Sequence, residues 1–408
     1  IDDDGDGKLD EDAPDDLDKN DMILEMLIED PTGAWAPAGD ARFLRAAREG
    51  EAPRFRRLRE GADDDGDGLF NEDGPGGVLL DHNFPIGWED VRGSESGPWP
   101  LSEPDTDALA KLMLARRTAV VLVFQANHGL LASPGGRVGS ADHVLPMGED
   151  EPTYRRLAEV FAAHTGRLQP RAVTLAEARG EAWPGSLVDW SYAALGALAM
   201  EVGVWGPAVQ PSAREPVNAF FRDSETLPSS GITAVEEAWA RWLDETRGGI
   251  GFLDWQPIEL AGASGALVGG WERDTLQNPP LDVLPQALAG LSDFTLDLAR
   301  NLPRLEVEVL RDTKREGRVC LVKARVKNLG TLPSGVGPGA QTSSVRLRLE
   351  ITPGVTLRAG QLETVIGHLP GRGVSDEFSW LLIAPEGAVV RIVAESSWSP
   401  PSVREVRP

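Results

Sequence analysis

Cysteine is almost missing from this sequence: Cys320 stands alone among 408 residues, which excludes an intrachain disulfide framework. No run of about 18 apolar residues occurs, so no segment is suited to cross a bilayer as a helix. Positive charge is scarce. Lys and Arg number 40 against 65 Asp and Glu, a formal net charge of −25, and a surface that grips nucleic acid or an anionic membrane needs clustered cations instead. An initiating Met and a secretory leader are also missing. The chain opens at Ile1 inside an Asp-rich loop and reads as a fragment or a processed form.

What is present begins with that acid. With 41% hydrophobic residues the chain can bury one large core or two ordinary ones, and two domains are expected. In residues 1–12, Asp2, Asp4, Asp6, Gly7, Asp10 and Asp12 match Asp63, Asp65, Asp67, Gly68, Asn71 and Asp73 at a constant offset. Alternate carboxylates on a tightly wound loop converge on one point, as calcium requires, and Gly lets the backbone turn. Each loop departs from an EF-hand, with Ala13 or Gly74 at the twelfth position and Pro beyond. Asp12 or Asp73 would then supply the bidentate ligand. Asp16, Asp18 and Asn20 form a third candidate loop. Such sites suit millimolar extracellular calcium, so an extracellular or periplasmic location is expected.

Patterning supplies the elements. Residues 22–27 fit helix or strand, and the Gly50–Pro53 break within 43–61 favours a hairpin. Val78–Pro85 reads as a short buried strand entering a turn. Ser102 is expected to cap a helix whose stripe is Leu109, Leu112 and Met113. Residues 119–124, AVVLVF, read as a strand buried on both faces and therefore as part of an α/β sheet. A helix over 153–165 puts Leu157, Phe161 and His164 on one face, with His164 packed in the core. Open α/β sheets place their sites at the carboxyl ends of strands, so the polar cluster following Val120–Gln125 is of interest.

Three stretches carry a family resemblance: GVLLDHNFP at 77–85, DWSYAALGALAMEVGVW at 189–205 and GGWERDTLQNPP at 269–280. Together they resemble the zinc carboxypeptidases of peptidase family M14. The resemblance implies a mixed sheet flanked by helices, a zinc ion, and a substrate that is a peptide or protein C-terminus. It places the third zinc ligand, a His in the family, at Gln125, and a Gln carbonyl is a poor zinc ligand; His128, three residues on, could rescue the site only with a remodelled loop. The family's Asn-Arg-Asn substrate-carboxylate triplet falls on Asp81, His82 and Asn83, where Asp81 would repel a carboxylate. Glu201 matches the family's general base, and a Glu inside an apolar strand is costly to bury without a partner or a task. None of the five His residues is followed three positions later by Glu, so the family's His-x-x-Glu pair would have to lie in an unseen N-terminal segment.

From 304 onward, short alternating runs separated by Gly and Pro read as an immunoglobulin-like sandwich. The expected architecture is therefore an α/β, carboxypeptidase-like domain over 1–302 and a β-sandwich accessory domain over 304–408. The expected function is a secreted metallocarboxypeptidase relative that has lost its chemistry, with structural calcium. An active zinc peptidase with unusual ligands and a calcium-dependent extracellular binding or scaffold protein are the alternatives.

Overall fold

The computed structural model describes residues 15–64, 70, 77–90, 96–116, 118–125, 129–135, 145, 148–167, 169, 172–179, 183–205, 233–272, 275, 278–279, 281–310, 314–338 and 344–408. Of the two repeated Asp loops' ligand positions, only Asp63 falls among them. Asp2, Asp4, Asp6, Asp10, Asp12, Asp65, Asp67, Asn71 and Asp73 lie outside the described residues, as does His128.

The molecule is a mixed α/β structure joined to a β-sandwich. Strands β1 (Glu25–Glu29), β2 (Trp35–Pro37), β3 (Leu44–Ala46) and β4 (Phe55–Arg59) open the chain. Residues 22–27 thus resolve towards strand. The expected hairpin over 43–61 does not form, because Trp35 of β2 inserts between Ala46 of β3 and Phe55 of β4. The expected strand at 78–85 is likewise replaced by one 3-10 turn, Leu80–His82, with Leu79 and Leu80 exposed.

Helix α1 (Pro104–Arg116) follows, but its inward face is Thr106, Ala110 and Met113, while Leu109 and Leu112 are exposed. The cause is Asn83. Its carboxamide accepts from the Thr106 hydroxyl at 2.6 Å and from the Glu103 backbone N–H at 3.3 Å, and donates to Ser102 Oγ at 2.9 Å. That anchor sets the helix rotation, and it draws the Ser102 hydroxyl away from the expected cap.

Strands β5 (Val120–Gln125), β6 (Leu131–Ser133), β7 (Val173–Thr174) and β8 (Leu198–Gly203), with helices α2 (Glu151–Thr165), α3 (Leu175–Arg179) and α4 (Leu187–Leu195), build the central layer. Its sheet order is β5-β8-β6-β7. β5 and β8 are parallel, while β6 runs antiparallel to β8. The strand buried on both faces is β8, all six residues of it; β5 lies at the end of this sheet among the described residues, and Phe124 is 50% exposed. Within α4, Ser186 Oγ accepts from the Asp189 N–H at 3.0 Å, and Gly196 stops the helix at φ +65°, a value that glycine adopts without strain.

Helix α5 (Thr233–Arg247) leads to β9 (Phe252–Ile258) and β10 (Ala266–Trp271), which return to the first sheet and complete the order β3-β2-β4-β1-β10-β9. Helix α6 (Leu284–Arg300) then packs on α2. Leu291 and Leu298 of α6 are buried, while Leu288 and Leu296 face outward. His164 sits on the rim of this pair, part-exposed, rather than in the core.

Eight further strands plus the short β12 (Lys314–Glu316) make the sandwich. One sheet joins β11 (Leu305–Val309), β13 (Val319–Asn328), β17 (Phe378–Ile383) and β15 (Thr356–Ala359); the other joins β16 (Glu363–Gly367), β14 (Val345–Ile351), β18 (Val390–Ser396) and β19 (Ser399–Val406). Burial alternates residue by residue along β13 and most of β14, as a strand with one face on a core requires. Val322, Leu347, Trp380 and Ile392 belong to a core supplied by the sandwich itself. Leu332, Val336 and Trp398 instead enter the central layer's core, where Gly337 N donates to Asp150 Oδ2 at 2.7 Å and Tyr192 Oη donates to the same oxygen at 2.9 Å. A fragment of residues 304–408 is expected to fold alone, because its core is self-supplied, but to self-associate through the newly exposed Leu332, Val336 and Trp398. An unfolded circular dichroism spectrum would contradict this, and sedimentation reads the association.

Candidate functional site

The candidate positions gather around β8 and the amino end of α4. In the parallel β5–β8 pair, Val123 stands opposite Glu201 and Gln125 opposite Gly203. Side chains alternate between faces along each strand, so Val123, Gln125 and Glu201 share one face. Glu201 is fully enclosed. The Gln125 backbone carbonyl accepts from Val204 N at 2.6 Å, which keeps the ends of the two strands together. Arg167, itself buried, donates through Nη2 to Val204 O and Ala287 O, both at 2.9 Å, and caps the same strand end. Burial lowers its pKa to about 10.

Asp81 and His82 are held by the segment before α4. Asp81 Oδ1 accepts from Leu187 N and Oδ2 from Trp183 Nε1, each at 2.9 Å. The first of these donors is at the amino terminus of α4, where the helix dipole favours an anion. His82 is buried, its ring 4.1 Å from that of Trp183 and its Nδ1 2.7 Å from Pro184 O. An imidazole nitrogen that close to a carbonyl must carry the proton. Gly185 makes this clasp feasible, since a Cβ there would lie 2.4 Å from His82 O.

A third acid completes the group. Asp189, almost fully buried, accepts from Gly135 N at 2.9 Å through Oδ1. Burial pushes its pKa up to about 6, and the charges of Asp81 and Glu201 add to the shift. Asp81 and Glu201 therefore both act on the Asp189 carboxyl. Asp189 is hidden in the sequence, because Ser-x-x-Asp ahead of an apolar run signals a helix start. Its electrostatic role comes from one neighbour far upstream and another in the next strand.

A separate acidic group lies where β4 ends beside the start of β1, in the middle of the first sheet. Ligand oxygens of Asp16, Asp18 and Glu60 lie within 4.8 Å of one another. Glu60 is enclosed, and no spacing in the sequence marks it as a ligand; Oε1 accepts from Leu17 N at 2.7 Å and Oε2 from Leu24 N at 2.9 Å. Burial raises its pKa despite these donors. Asn20 belongs to the same loop, its N–H donating to Asp16 Oδ1 at 3.0 Å and its Nδ2 to Asp18 Oδ2 at 3.0 Å. Among the described residues this is where metal-ligating side chains come within coordinating distance of one another. An all-oxygen donor set fits a hard cation such as calcium.

By sequence, residues 304–407 match a family described as "Domain of unknown function (DUF8731)", about a quarter of the chain. No curated protein matches. Among solved structures, a β-glucuronidase from Parabacteroides merdae is 15% identical, over 26% of this chain and 12% of that one, with a TM-score of 0.16. The CARDB domain of a Pyrococcus furiosus protein, in complex with di-metal ions, is 18% identical, over 26% of this chain and 94% of its own, with a TM-score of 0.16. An exo β-N-acetylglucosaminidase from Vibrio harveyi is 13% identical, over 26% and 17%, at 0.14. The segment shared with the two glycosidases is thus a small part of their length.

Proposed function

We propose that residues 1–302 form a zinc-carboxypeptidase-like domain that has lost its hydrolytic chemistry, and that the protein acts outside the cell or in the periplasm as a calcium-stabilised binding or scaffold protein. The observation that carries this reading is Asp81. A site for a peptide's terminal carboxylate needs a cation, and this position holds an anion whose two oxygens already take the N–H groups of Leu187 and Trp183. A second carboxylate would meet repulsion and no unoccupied donors from these two groups. The parallel β5–β8 pair supports the kinship, because ligand and general base must face one ion, and Gln125 and Glu201 do share a face. Gln125 in place of imidazole supports the loss.

Expected results are no stoichiometric zinc by elemental analysis and no release of C-terminal residues from peptides. One zinc per chain with cleavage abolished by Glu201→Gln would overturn the reading in favour of an active peptidase. Without a Lewis acid Glu201 faces water of pKa about 16 rather than about 7, a gap of roughly 12 kcal/mol.

Calcium enters through Asp16, Asp18 and Glu60, whose mutual repulsion a divalent cation relieves, and through the two repeated Asp loops. At a free calcium concentration of about 100 times Kd, binding contributes about 2.7 kcal/mol. Chelation is therefore expected to lower Tm by several degrees, and Glu60→Gln to remove part of that sensitivity. A melting temperature indifferent to chelator would refute the calcium assignment.

A further inference from the structure

A crevice of about 260 Å³ opens where α2, α6 and residues 331–332 of the sandwich meet. The two helices are antiparallel: Phe161 packs edge-on against Phe294 at 5.4 Å, Gly290 lies under the His164 carbonyl, and Leu157 shares the crevice with Leu298. The amino-terminal turn of α2 therefore meets the carboxyl-terminal turn of α6, and helix ends of opposite polarity face one space. Side chains repeat that polarity. Arg156 stands on the α2 side and Asp297 on the α6 side.

Arg156 makes no side-chain hydrogen bond or ion pair with the described residues. Asp297 keeps capacity: Oδ1 accepts from Asn301 Nδ2 at 3.0 Å and Oδ2 lies 3.5 Å from His164 Nε2, while a carboxylate offers about four acceptor sites. The Asn301 carboxamide oxygen accepts from the Thr331 hydroxyl at 2.7 Å, and Asp297 is the acidic side chain that lines the crevice. Leu157, Val160, Leu298 and Leu332 supply an apolar floor. The volume suits a ligand of roughly ten non-hydrogen atoms, below drug size.

We propose that this crevice binds a free α-amino acid with an aliphatic side chain. Its carboxylate pairs with Arg156, its ammonium with Asp297, and its side chain covers the leucine floor. Crevices between domains are common ligand sites, and a guest here touches both the central layer and the sandwich. None of the residues that carry the Asp81 and Glu201 reading takes part.

Titration calorimetry of the full chain with L-leucine, N-acetyl-L-leucine and L-leucinamide is the test. L-leucine is expected to bind one per chain, and each blocked form roughly tenfold or more weakly, because each removes one charge-assisted contact. Arg156→Met and Asp297→Asn, both changes at the surface, are expected to lose about tenfold in affinity for L-leucine with unchanged circular dichroism. Absence of binding at millimolar L-leucine would overturn the proposal. Equal binding of all three compounds would overturn it too, since only the apolar floor would then be at work. The blocked ligands probe the wild-type chain, so the outcome does not depend on either variant folding.

Discussion

Trp398→Ala is expected to cost about 3–5 kcal/mol in the full chain, the range for truncating a buried tryptophan. Trp398 belongs by sequence to the β18–β19 turn of the sandwich but is 7% exposed within the core of the central layer, beside Leu332 and Val336. Its removal opens a cavity at the junction, where little can relax because Asp150 already fixes Tyr192 and Gly337. The same substitution in the isolated sandwich, titrated at concentrations where it is monomeric, should change stability by less than about 1 kcal/mol, since the ring there faces water. Paired urea titrations of the two proteins provide the test. Equal losses in both would show that the ring serves the sandwich core, contrary to its place among the central layer's residues.

Asp189→Asn is expected to stabilise the protein at neutral pH. The carboxyl has a folded-state pKa raised to about 6 from 3.8, so the folded state holds its proton more tightly than the unfolded state does. Stability from this group is therefore full below the unfolded value and falls as pH rises through 3.8 to about 6. At 1.36 kcal/mol per unit, the ionised form costs about 3 kcal/mol above pH 6. Asn keeps an oxygen to accept the Gly135 N–H and carries no charge. The variant should gain about 2–3 kcal/mol at pH 7 and almost nothing at pH 3.5. A gain that is the same at both pH values, or a loss at pH 7, would refute the electrostatic account.

Local chemistry is legible where one element decides the outcome by itself. The Gly196 stop and the buried run of β8 can be read directly, because glycine conformation and an unbroken apolar run depend on residues close in sequence. The alternation along β13 and β14 is equally plain, as it reports a single covered face. Differences cluster where a distant group intervenes. Leu109 and Leu112 make a plausible stripe, yet Asn83, well upstream, grips Thr106 and rotates α1 so that those leucines face outward. The hairpin over 43–61 does not form because β2 takes the place between its arms. Val78–Pro85 is not a strand because Asp81 and His82 are tied to residues 183–187.

For the candidate site the division follows the same line. Residue identity at Gln125, Asp81 and Glu201, and the chemistry each side chain can or cannot perform, are present in the sequence, since ligand preference and charge belong to the side chain itself. Proximity is not. That Gln125 and Glu201 share a sheet face, that Asp81 caps α4, that Asp189 feels two other acids, and that Glu60 closes on Asp16 and Asp18 all depend on pairing between distant parts of the chain. Such long-range pairing is selected by burial of the whole core, to which each residue contributes only a few kcal/mol, so tertiary packing alone could decide it.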